Sequence, residues 1–241
     1  MGSFRRKDNG TDIYILALEK DKDLYGTIRL AVLENFFVSI EFQKLVVHVG
    51  QDTLDRNSLA QYIAQLDDKK YAALKDYYNL LIHRHDDPED NRVIILDADE
   101  YGKKYGIKDG ECTLLLRQGE DLNQRVLMTR KTGMTLFPQS RLGNSISYTG
   151  ILLIQGDTMN QIFKAMEMPA HDKWEPGRCK VDKTFYENAY TDLRQYLRKK
   201  IIENFGAPQQ DIEVAYGMDE FFADAPRDGA RDVELNERHQ K

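Results

Sequence analysis

The chain is predicted to be an α+β protein, with a mostly antiparallel sheet and helices packed on it. Three observations carry that expectation. The first third repeats apolar residues at helical spacing, the middle is a series of short β-type runs separated by glycine-bearing turns, and a long amphipathic stretch follows them. Helices and strands sorted in this way into separate stretches favour helix-on-sheet layers over alternating βαβ units.

Taken in order, Met1 to Asn9 is a polar leader or expression scar, and Gly10 to Leu18 has the composition of a β-strand entered from a glycine turn. From Gly26 to Phe42, Ile28, Ala31, Val32, Phe36 and Ile40 follow the helical period and predict a well-buried helix. A strand over Lys44 to Val49 and a turn at Gly50 to Asp52 come next. Asn57 or Ser58 is placed to cap a helix running to Leu66, since a short side-chain acceptor satisfies the free amides of a first turn. A second helix is expected over Lys69 to His83. Beyond the charged loop His83 to Asp90, strands are predicted at Arg92–Asp97, Cys112–Arg117, Gln124–Arg130, Met134–Phe137 and Tyr148–Gln155. The best hairpin turn is Lys131-Thr132-Gly133, because glycine tolerates the positive φ of a tight turn. An amphipathic segment spans Asp157 to Met166, and a long helix Lys183 to Phe205. One domain is expected over residues 10–205, divisible near residues 84–91. The acidic stretch 206–241 is expected to be partly disordered, with Ile212 to Phe222 its only part apolar enough to dock.

Composition narrows the function classes. The 241 residues are 41% hydrophobic, enough to bury a sizeable core. No run approaches the roughly 18 to 20 apolar residues of a membrane span, and no signal-peptide core follows Met1, so a cytoplasmic location is expected. A net charge of -6 argues against a globally basic nucleic-acid coat. Cys112 and Cys179 lack metal-ligand spacing and are read as free thiols.

Several motifs carry chemistry by residue type. His83 and His85 beside Asp86, Asp87, Glu89 and Asp90 have the ligands of a metal site, but a polar connector of this kind is more simply a solvated loop. Ser140 and Ser145 lack the surroundings of a nucleophile elbow, and the glycines from Gly102 to Gly110 lack the Gly-Lys-Ser/Thr ending of a phosphate loop. Arg194, Arg198, Lys199 and Lys200 line part of one helix, where DNA contact is conceivable, although Glu187, Asp192 and Glu203 dilute that face. The segment Pro169-Ala-His-Asp-Lys-Trp-Glu-Pro176 holds the only Trp. It is expected to be a structural latch, with Trp174 plugging the core and His171 and Asp172 satisfying backbone groups.

Six short matches in order give the chain a family likeness: Gly10-Thr-Asp-Ile-Tyr-Ile, Ala31 to Phe37, Lys44 to Gly50, Arg130 to Met134, Tyr148 to Ile154, and Pro-Ala-His-x-x-Trp. Together they resemble the C-terminal half of bacterial ATP-binding proteins of the gyrase, histidine-kinase and MutL superfamily. The resemblance covers roughly residues 10 to 205. It departs from the pattern at Met168, where relatives carry Asn.

The resemblance implies a transducer-like unit, similar to a ribosomal-protein fold, that follows an ATPase domain and relays nucleotide state to dimer closure. Gly10 and Thr11 would be the end of that ATPase domain. ATP and magnesium are then expected of a full-length protein with the domain in cis, which would form a homodimer, and no complete active site is expected in this chain. A cation reaching the γ-phosphate is needed for the relay, and the candidates are Arg130, Lys131 and Arg141. The stretch Phe137-Pro-Gln-Ser-Arg-Leu-Gly143 looks like the basic loop after a transducer strand in the MORC branch, which favours Arg141 even though the family more often has Lys there. The alternatives are a solvated surface arginine at position 141 and, for the whole chain, a stand-alone interaction or scaffold domain.

Overall fold

The computed structural model describes residues 23–206 apart from 144 and 145. The leader, the Gly10 to Leu18 strand, Gly10 and Thr11, Ser145 and the stretch 207–241 lie outside the described residues.

The described elements run α1 (Leu24–Glu41), β1 (Val47–Val49), β2 (Asp52–Leu54), α2 (Arg56–Ala64), α3 (Ala72–Ile82), β3 (Asn91–Ile95), β4 (Cys112–Gln118), β5 (Arg125–Thr129), β6 (Thr135–Gln139), β7 (Tyr148–Ile154), α4 (Asp157–Met166) and α5 (Lys183–Phe205). This is an α+β fold. Five strands form the main sheet in the order β3-β4-β7-β5-β6, and β1 and β2 form a separate antiparallel pair. All neighbours in the main sheet are antiparallel except β5 and β7, which are parallel from Arg125 against Thr149 to Met128 against Leu152.

Strand periodicity sends alternate side chains to two cores. Leu114 and Leu116 of β4, Val126 and Met128 of β5, and Tyr148 and Leu152 of β7 meet α4 and α5. Leu115, Leu127, Ile151 and Leu153 meet α1, α2 and α3 on the opposite face. Every residue of β7 is buried, as a central strand covered on both faces requires. The second core draws on residues both before and after 84–91, so these stretches are layers of one unit, not separate subdomains.

Several sequence expectations need correction. Helix α1 is buried only at Leu33 and from Phe37 to Glu41, while Ile28 is 39% exposed and Ala31 is also exposed. The cap of α2 is Asp55, whose carboxylate accepts from the amides of Asn57 and Ser58. Ser58 supplies the return bond to the Asp55 amide, and its own amide is the main reason the Asp55 carboxyl sits below its usual value. The turn expected at Gly50 to Asp52 forms at Gly50 and Gln51, and its last residue, Asp52, opens β2 opposite Val49. Helix α3 begins at Ala72, not Lys69.

Gly156, the N-cap residue ahead of α4, has no side chain to cap it. Glu111, at the entrance to β4, accepts from the Met159 amide at 2.6 Å in its place. A Cβ on residue 156 would lie 2.1 Å from the Glu111 side chain, so the glycine makes room for this remote cap.

Candidate functional site

The β5–β6 hairpin and its flanking loops position all three candidate cations. Its turn forms as expected, closed by the Gly133 amide on the Arg130 carbonyl at 2.8 Å. Gly133 has φ +88°, and a Cβ there would press on Ser39 at 2.8 to 3.0 Å, so both the conformation and the packing call for glycine.

Arg130 and Lys131 sit at this tip, between α1 and α4. The Arg130 Nε donates to Glu167 Oε2 at 2.7 Å, and the Glu167 side chain is only 3% exposed. Lys131 Nζ pairs with Asp157 Oδ1 at 2.6 Å, while its amide donates to Asn160 Oδ1 at 3.2 Å. From α1, the Ser39 hydroxyl donates to the Thr132 carbonyl at 2.9 Å. Lys44 reaches the Lys131 carbonyl at 3.2 Å. Both candidate cations at the tip are therefore charge-matched.

Arg141 is at the other end of the hairpin. The five residues of β6 lie between it and the tip, about 17 Å at the ordinary strand rise. The register explains its neighbour: Val126 pairs with Gln139, so just past that pair the two chains carry Arg125 and Ser140-Arg141. The link from β6 to β7 then crosses the start of β5, because β7 lies on the far side of β5 from β6. This crossing brings the 140–143 stretch against Asn123, Gln124 and Arg125 around a solvent-open cleft of about 250 Å³.

Both arginines in the cleft are exposed, and no carboxylate lines it. Among the described residues neither has an ion-pair partner within 4.0 Å. Arg141 adopts φ +61° and Gln124 φ +54°, left-handed conformations that turn the chain sharply on both sides of the cleft. Asn123 is fixed beneath it, its amide nitrogen donating to Thr149 at 2.9 Å and its oxygen accepting from the Arg125 amide at 3.0 Å. Gln139 is similarly held, accepting from the Tyr190 hydroxyl at 2.6 Å. Arg125 was not singled out from the sequence. Its partner is sixteen positions away and joined to it only by the crossing, so no local pattern announces it.

The Pro169–Pro176 segment lies on the tip side. Trp174 is 4% exposed and rests against Phe163 of α4, Phe137 of β6 and Tyr190 of α5, with centroid distances of 4.4, 5.2 and 5.9 Å. Its Nε1 has no hydrogen-bond partner among the described residues. The loop is closed by the Glu175 amide on the Met166 carbonyl at 2.7 Å and the Met168 amide on the Lys173 carbonyl at 3.2 Å. His171 is in a left-handed conformation, and its ring contacts the Glu167 carboxylate where a backbone partner was expected. Glu167 thus joins Arg130 of the hairpin to His171 of the loop.

The remaining motifs resolve locally. His83 Nδ1 pairs with Asp86 at 2.7 Å, and no group of three or more potential ligands among the described residues is arranged for a metal ion. Lys199 and Lys200 on α5 both pair with Glu100 and Glu203. Burial opposes the charge of Lys200, yet these two carboxylates outweigh it and raise its pKa. Cys112 and Cys179 are free; burial pushes the Cys112 thiol up to about 12. No described helix is long and apolar enough to cross a membrane. No family model, curated protein or solved structure matches the chain.

Proposed function

We propose that this chain is the coupling and dimerisation region of an ATP-dependent machine of the gyrase, histidine-kinase and MutL type, with Arg141 as the cation that reads the γ-phosphate. The observation that carries the choice is the contrast in pairing: Arg130 and Lys131 already have carboxylate partners, whereas Arg141 is exposed on a loop beside an acid-free cleft. A cation without a partner gains a contact when a phosphate arrives and loses it on hydrolysis. That differential contact is what biases a two-state arrangement.

Nucleotide and magnesium would be held by an ATPase domain in cis, and this chain's residues would contribute the sensor and the rigid sheet behind it. The sensor loop is anchored by β6 on one side and by the fully buried β7 on the other, so a displacement of Arg141 is passed to the centre of the sheet. The paired lysines of α5 make a DNA-binding face there the weaker reading.

The test uses the product of the complete native reading frame. ATP turnover and nucleotide-dependent dimerisation are measured for wild type and Arg141→Ala. A charge-assisted contact of about 1.5–3 kcal/mol predicts a loss of roughly 10- to 100-fold in nucleotide-dependent turnover and dimerisation. Absence of an ATPase domain from the reading frame, or wild-type turnover in the variant, would overturn the coupling role and favour a stand-alone scaffold.

A further inference from the structure

We infer that the cleft at the open end of the hairpin is a two-arginine phosphoryl site, in which Arg125 grips the same group as Arg141. This deepens the reading of Arg141 above and rests on it for the identity of the natural ligand. Three observations converge on the assignment. The lining residues are Asn123, Gln124, Arg125, Ser140, Arg141 and the Leu142-Gly143 backbone, giving two formal positive charges and no negative one. Neither guanidinium is neutralised by an ion pair among the described residues, unlike the charge-matched pair at the tip. The two are brought together by the fold itself, since Arg125 opens β5 and the loop bearing Arg141 crosses that strand end.

Guanidinium favours this class of ligand. Its planar fork offers paired N–H donors matched to phosphoryl oxygens, and two forks can hold a group of more than one negative charge. The amides of Arg141, Leu142 and Gly143 donate to no acceptor among the described residues. A left-handed residue such as Arg141 helps turn successive amides toward one point, as in anion-binding nests. Size selects within the class: a cleft of about 250 Å³ falls below the ~300 Å³ at which pockets for drug-sized ligands begin. It suits the terminal phosphoryl group of a polyphosphate, with the remainder of a nucleotide lying outside.

The experiment is calorimetric titration of the chain with sodium tripolyphosphate at low ionic strength. One molecule is expected to bind per chain, and Arg125→Ala and Arg141→Ala should each weaken binding about tenfold. Arg125→Lys keeps the charge but not the fork, and should recover part of the loss. Lys131→Ala is the control for diffuse electrostatics and should bind as wild type. No binding by wild type, wild-type binding by Arg125→Ala, or an equal loss in Lys131→Ala would each overturn the site. The coupling role fails separately: variants that lose tripolyphosphate but keep full ATP turnover in the complete protein leave the site standing and remove the relay.

Discussion

At one end of the β5–β6 hairpin, Arg130 and Lys131 are matched to Glu167 and Asp157, and the turn is wedged between α1 and α4. At the other end, Arg125 and Arg141 stand around an open cleft without an acid. The residue types are nearly the same, so type alone does not distinguish a structural cation from one available to a ligand. Neighbours do. At the tip the charges of Arg130 and Lys131 are consumed in holding secondary elements together, and at the open end those of Arg125 and Arg141 are left for an incoming anion.

The largest expected effect that bears on this contrast is behind the tip. Trp174→Ala removes the ring packed on Phe137, Phe163 and Tyr190 and should destabilise the protein by about 3–5 kcal/mol in urea melts. An unchanged midpoint would mean that the loop does not support the hairpin. Next, Glu167→Ala strips the carboxylate from both Arg130 and His171. Arg130 is only 24% exposed, so a loss of about 2–3 kcal/mol is expected, and a loss under about 1 kcal/mol would count against a structural tip. Lys131→Ala breaks a pair whose members are 42% and 77% exposed, for which chemical denaturation should register no more than about 1 kcal/mol. Smallest of all, Arg125→Ala and Arg141→Ala should alter stability by less than about 0.5 kcal/mol while changing anion binding. A clear stability loss in either would erase the distinction between the two ends.

How much of this was legible depends on whether the cause is local. Helices α4 and α5 have the predicted bounds, because their apolar period and the polar segments around them are written in consecutive residues. The turn at Gly133 is legible for the same reason. Asp55 was missed as a cap because Asn57 and Ser58 are equally good cap residues by type, and only the chain path selects among them. The buried face of α1 was out of phase with the expected one: Ile28 and Ile40 lie about 120° apart around the helix, and the i, i+4, i+7 set Leu33, Phe37 and Ile40 turns to the core while Ile28 and Ala31 do not. Parallel pairing of β5 with β7 is a matter of partners, on which strand periodicity is silent. The site follows suit: Arg141 can be named from its loop, but its pairing with Arg125 needs the crossing, and the pairing of Arg130 and Lys131 needs α4 in place.

Strand β7 bears on how the chain reaches this arrangement. Before Tyr148 to Ile154 are available, the sheet can exist only as two separate ribbons, β3 with β4 and β5 with β6. Each ribbon would expose an apolar strand edge, along Leu114 to Leu116 in one and Val126 to Met128 in the other. Such edges invite pairing with other chains. β7 closes both at once, through contacts distant in sequence such as Cys112 with Ile154. The step that joins the ribbons is therefore of high contact order, which makes it slow relative to forming either hairpin. During synthesis, a ribosome-bound chain that has not yet released Ile154 should be the species most in need of a chaperone.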